Sequence, residues 1–289
     1  MGDLLISVPA AVAAAACFGL TGALQHRAAR RTGEQGTIRI GLVGELLRQP
    51  VWLGSLVANG LGIALQWLAL ATGPLILVQP LLVTGLVFAV LFSAALGKQR
   101  PDRVVLLGAG LCVAGLAGFL LIASPQAGQD RMSADEVWPL AGGLCVLLVL
   151  CLAVAFHRPG RTRALALATA TGLLYGVTAG LAKLATDDLR RGLWAALTNW
   201  PLYLVVVCGL VGFVLNQNAF RVGVALAPAL AVIVVLDPLV GIGIGALWLG
   251  EQLRTGPWPI IGQVLALAVL VVGVAVLSVR APHAAREQR

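Results

Sequence analysis

Nine apolar runs of about 20 residues recur along the chain, with the charged residues gathered between them. They span Leu4–Leu24, Val51–Ala71, Pro74–Leu96, Val104–Ala123, Val137–Phe156, Ala164–Leu184, Pro201–Phe220, Leu226–Leu249 and Pro259–Val279. A helix of about 20 residues is what the hydrocarbon core of a bilayer demands. The backbone inside lipid must satisfy its own hydrogen bonds, so such runs are expected to be helices. The ten-residue alternation of barrel strands is absent. The pattern predicts an all-α, polytopic integral membrane protein with the lipid bilayer as its solvent.

The connections refine this picture. Spans two and three are joined only by Thr72-Gly73, a tight helical hairpin. Residues 25–50 and 185–200 are longer than a turn requires. Each could hold a short interfacial helix or an extra short span, and Trp194 and Trp200 suit the headgroup region. With the N-terminus outside, the outside segments carry Arg131, Lys183, Arg190, Arg191 and Arg254. The cytoplasmic segments then carry the remaining 15 of the 20 Lys and Arg. That bias favours an outside N-terminus, a cytoplasmic C-terminus and an odd number of spans. The start, Met-Gly-Asp, has no basic stretch ahead of the first apolar run, which favours a retained first span over a cleaved signal.

The two ends of the chain also resemble each other. Phe18-Gly19-Leu20-Thr21 matches Tyr175-Gly176-Val177-Thr178. Gly62, Leu65, Gln66, Ala69 and Gly73 match Gly212, Leu215, Asn216, Ala219 and Gly223 at a constant offset of 150. Gly97-Lys98-Gln99 matches Gly250-Glu251-Gln252, and Leu107-Gly108 matches Ile261-Gly262. The common order predicts two four-span repeats: residues 1–136, with the basic loop 25–50, and residues 163–289, with a basic tail. Residues 137–162 supply one linking span between them. Corresponding spans lie five apart and so run in opposite directions, the inverted repeat that many transporters use for alternating access.

Composition changes the picture little. The chain of 289 residues is 59% hydrophobic and 11% charged, with a mean hydropathy of +0.94. The net charge of +8 follows the loops and calls for no nucleic acid. Cys17, Cys112, Cys145, Cys151 and Cys208 fall inside apolar runs without metal-ligand spacing and read as small hydrophobes. No nucleotide-binding loop is present, and His26, His157 and His283 lie outside the spans. No cofactor and no enzymatic activity are expected.

Asp237 is the one acid in mid-span. A charge at a helix centre costs roughly 2.5–3.5 kcal/mol on insertion scales, so it should face a cavity or a partner. Pro238 beside it removes a backbone donor and frees a carbonyl. An acid among freed carbonyls suits a cation, and a buried acid suits a proton. Gln79-Pro80 is a similar pair in span three, although alignment on Gly97 and Gly250 does not superpose the two. Asn59, Gly62 and Gln66 share one helical face, as do Gly209, Gly212 and Asn216. The candidate site residues are therefore Asp237, Asn216, Gln66, Gln79, Tyr175 and Thr178, with Asp237 the ligand if a divalent cation is carried. Lys183 and Glu251 lie at span ends, where snorkelling or an interfacial pair is the expectation.

The close of span eight, Gly250-Glu251-Gln252-Leu253, resembles the end of an EamA-type repeat of the drug/metabolite transporter superfamily. Gly60 to Pro80, ending Leu75-Ile76-Leu77-Val78-Gln79-Pro80, is similar to the hairpin of NIPA-type magnesium transporters, as is Asn216-Gln217-Asn218-Ala219. Lys98 departs from the pattern, standing where the second repeat has Glu251. The resemblance implies a plasma-membrane transporter with a central site between the repeats. Three functions follow as expectations: a secondary transporter of a small solute by alternating access, driven by protons through Asp237; a magnesium or divalent cation transporter; or a non-transporting scaffold. Glycine-rich spans are compatible with a homodimer.

Overall fold

A computed structural model describes residues 4–31, 50–97, 103–125, 134–221 and 226–280. These form ten helices: α1 Leu4–Arg31, α2 Pro50–Thr72, α3 Leu75–Gly97, α4 Arg103–Ala123, α5 Ala134–His157, α6 Gly160–Arg191, α7 Leu193–Thr198, α8 Trp200–Arg221, α9 Leu226–Leu247 and α10 Pro257–Arg280. Eight of them are long and apolar enough to cross a bilayer. A ninth, α8, has a shorter apolar stretch, Trp200–Asn216, at the place of the predicted seventh span. The protein is a multi-pass membrane protein.

The two long connections resolve differently. Residues 32–49 lie outside the described residues, so the helix expected in that loop is not placed. The span predicted to end at Leu184 runs on to Arg191. At 32 residues, α6 is about 48 Å long, well beyond a hydrocarbon core of about 30 Å. Gly192, at φ 135°, turns the chain out of α6 into the six-residue α7. An L side chain rarely adopts that backbone angle. Trp194 is exposed there, as an interfacial anchor should be.

Glycines decide how closely the helices meet. Gly19 of α1 sits so close to α3 that an added Cβ would lie 2.7 Å from the Gly85 carbonyl oxygen. Gly176 of α6 meets α9 in the same way, 2.8 Å from the Asp237 carbonyl oxygen. The Phe18 ring covers Gly62 of α2, and the Tyr175 ring covers Gly212 of α8. Thus α1 packs on α2 and α3, while α6 packs on α8 and α9. The two groups meet where α3 faces α9 and α2 faces α6, and α4 packs along α10, where Gly115 and Gly273 bring backbones together. Helix α5 packs mainly on α6 and leaves Trp138, Val149, Leu150 and Phe156 exposed.

Candidate functional site

A cavity of about 360 Å³ lies where α1, α2 and α3 face α6 and α9. Phe18, Leu82, Val83, Leu86, Ile233 and Val234 supply its apolar wall. Its polar groups are Gln66 from α2, Gln79 from α3, Tyr175 from α6 and Asp237 from α9. Four of the six residues singled out by sequence therefore meet in one place. Asn216 does not line the cavity but lies beside Tyr175. Thr178 is drawn away from it, because its hydroxyl donates to the Leu174 carbonyl one turn back at 2.7 Å. Thr21 behaves likewise, bonding the carbonyls of Cys17 and Ser55.

The geometry explains why these side chains converge. Gln79 is buried, and its side chain lies against Gly241, with Cγ 2.7 Å from where a Cβ would stand. Gly241 is one turn beyond Asp237 on α9, so the two helices approach at the level of the acid. One Asp237 oxygen, Oδ1, is buried with no hydrogen-bond partner among the described residues, as is Oδ1 of Asn216. Buried polar atoms are normally satisfied, and an orphan invites an explanation. Pro238 has no N–H to give to the Val234 carbonyl, and both residues line the cavity. The site thus offers a carboxylate, two amides, a phenol and a backbone carbonyl without its helical donor. Among the described residues, no lysine or arginine lines it.

The two polar-proline pairs are not equivalent. Matching the contacts of Gly19 to those of Gly176 places Gly85, not Gln79, opposite Asp237. The acid has no counterpart in α3. Among the described residues, no three His, Cys, Asp or Glu side chains cluster into a ready-made metal cage.

Of the two expectations for the charged span ends, a pair is seen and snorkelling is not, with Lys183 3.9 Å from Asp187. Glu251 and Lys183 do not snorkel. Glu251 is buried and accepts from the Leu75 N–H at 2.6 Å and the Ile76 N–H at 2.8 Å, at the N-terminus of α3. Lys183 donates to the Leu70 carbonyl and, at 2.9 Å, to the Gly73 carbonyl, at the C-terminus of α2. The signal was present in the sequence. Helix α3 opens after Gly73-Pro74 with no Ser, Thr, Asp or Asn to cap it, so its first amides need a distant acceptor. Burial pushes the Glu251 carboxyl above its ordinary value, and the two amides and Lys183 pull it partly back.

Residues 2–183 match the family described as Magnesium transporter NIPA. The chain belongs to that family. It is a membrane transporter, and the family is not a class of enzymes. An uncharacterised protein of Corynebacterium glutamicum is 29% identical to this NIPA-family chain over 96% of both. Two Arabidopsis thaliana proteins, named "Probable magnesium transporter NIPA6" and "Probable magnesium transporter NIPA2", are 27% and 28% identical. They match over 50% and 55% of this chain and 44% and 50% of their own. The chain thus spans about half the length of these plant relatives. No solved structure matches.

Proposed function

We propose that the protein carries Mg²⁺ across the plasma membrane, holding it at Asp237 in the cavity between α3 and α9. The observation behind this reading is the orphaned Asp237 carboxylate oxygen beside a cavity lined by no basic residue among those described. Magnesium gives up its water reluctantly and is usually held by one or two carboxylates with several waters kept. A single acid is then enough, with Gln66, Gln79 and the Val234 carbonyl bonding the retained waters. Six waters take up about 180 Å³ at roughly 30 Å³ each, so a hydrated ion fits the 360 Å³ available.

Transport needs the same site to face either side. The paired contacts of Phe18 with Gly62 and of Tyr175 with Gly212 favour two equivalent units, residues 1–136 and 163–289, linked by the span in 137–162. Inverted units of this kind exchange roles by rocking. The Lys and Arg bias supports an outside N-terminus and a cytoplasmic C-terminus.

The test is uptake into proteoliposomes, comparing the wild type with Asp237→Asn. Mg²⁺ flux that Asp237→Asn reduces by at least about tenfold supports the reading. Equal flux in the two proteins removes Asp237 from the site.

The apolar wall of Phe18, Leu82, Leu86 and Ile233 favours a second reading, a small organic solute exchanged for protons at Asp237. An internal pH dye separates the two. A pH response without Mg²⁺ flux supports the solute.

A further inference from the structure

The polar contacts at the α2–α3 turn do more than cap two helices. Five of them cross between the α2–α3 hairpin and the C-terminal helices, while Ser7 of α1 donates to the Ala69 carbonyl at 3.0 Å. Lys183 on α6 holds the carbonyls of Leu70 and Gly73, and Arg190, also on α6, donates to the Ala71 carbonyl at 2.7 Å. Glu251, just past α9, holds the amides of Leu75 and Ile76 from 176 and 175 residues away. Positive charge thus meets the C-terminus of α2 and negative charge meets the N-terminus of α3, as the two helix dipoles prefer. The fit is tight: Gly245 lies under the Glu251 carboxylate and the Ile76 side chain, each 2.7 Å from where a Cβ would stand.

These contacts lie beyond the Gln79 end of the cavity, towards the start of α3. Helix α3 runs from this turn towards the far end of the bundle, and the cavity is lined by its residues 79 to 89. Between the cavity and the turn stand the Gln79–Gly241 contact and the fully buried Leu75 and Ile76. A path from the cavity to the turn end must part α3 from α9 and break the Glu251 bonds.

We infer that Glu251 and Lys183 form a latch between the two groups of helices, and that its release opens the cavity at the α2–α3 turn. This rests on the alternating-access reading of the cavity. The chemistry suits a joint that opens repeatedly. Hydrogen bonds at the end of a span exchange for bonds to water at small net cost, whereas broken apolar packing has no such replacement. A purely local cap would need only a polar residue at position 74, where the chain has Pro74. The latch acts by positioning helices and touches no cargo.

The test reads which side reaches the cavity. A reporter Leu86→Cys is placed on the cavity wall, with the five native cysteines replaced by alanine. Sealed vesicles of each orientation are treated with a membrane-impermeant thiol reagent. With the latch intact, the reporter should react from the face opposite the α2–α3 turn. Glu251→Ala should raise labelling from the turn face by about fivefold or more, and Lys183→Met should raise it in the same direction. If both variants are extracted as monodisperse protein and label like the parent, the latch is refuted. If Glu251→Ala does not fold, Lys183→Met decides alone. Labelling needs no magnesium. Absent Mg²⁺ flux would therefore sink the cargo reading without touching this one.

Discussion

The Gln79 side chain of α3 rests on Gly241 of α9, in a space that any Cβ at position 241 would fill. This contact sets both the height of the Gln79 amide in the cavity and the spacing of the two helices beside Asp237. Gly241→Ala should therefore displace Gln79 without adding or removing a polar group. Mg²⁺ uptake should fall several-fold, by about 1 kcal/mol of lost stabilisation or more, while the extracted protein stays monodisperse. Unchanged uptake would show that Gln79 plays no part in the site.

Pro238→Ala separates stability from transport. The substitution returns an N–H to α9 and gives the Val234 carbonyl a helical donor. Proline inside a helix costs about 3 kcal/mol, so the thermal midpoint should rise. Uptake should fall, because the carbonyl is then occupied. A variant both more stable and equally active would remove Val234 from the cargo's surroundings.

The α4–α10 seam should tolerate no added bulk. A Cβ on Gly115 would lie 2.5 Å from the Leu270 backbone nitrogen, and backbone cannot step aside as a side chain can. Gly115→Leu should destabilise the protein by about 1–3 kcal/mol or more. Gly110, on the same helix, has nothing within 4 Å of its added Cβ, so Gly110→Ala should be neutral. Thermal unfolding in detergent compares the two directly.

The pH response follows from the sign of the Glu251 shift. Burial raises its carboxyl pKa in the latched arrangement, against the pull of its two amides and of Lys183, with Asp187 on α6 adding to the rise. Exposed to water, the group returns to an ordinary glutamate value of about 4.3. The latched arrangement therefore binds the proton more tightly. Lowering pH through the window above that ordinary value favours latching, and raising it favours release. Labelling of the Leu86→Cys reporter from the turn face should increase with pH in the parent and lose that dependence in Glu251→Ala. A dependence of the opposite sign would mean that the two amides and Lys183 outweigh burial at Glu251.

Much of this was legible in the sequence, and the limits have physical causes. The span pattern located the long helices because bilayer thickness imposes a length that composition cannot hide. Phe18 and Tyr175, and Gly62 and Gly212, were matched by residue type and order, and they form corresponding ring-on-glycine contacts. Asp237, Gln66, Gln79 and Tyr175 line one cavity because polar groups inside a bilayer need a polar place to point. Thr178 is not among the residues that line the cavity, since a hydroxyl in a helix can satisfy itself on the preceding turn, and sequence does not say when it does. For Lys183 the expected pair is present, with Asp187, but the snorkelling alternative fails for it and for Glu251. A charge at a span end usually reaches water, and only the tertiary arrangement reveals the helix termini that hold these two.

The polar lining comes from both groups of helices: Gln66 and Gln79 from one, Tyr175 and Asp237 from the other. A binding place assembled from two bodies is taken apart when the bodies move. If they rock, the acid travels with α9 and leaves the amides behind, so grip on the ion weakens as the opposite mouth opens. Capture and release would then need no separate device, since the same displacement that changes the exit also changes the affinity.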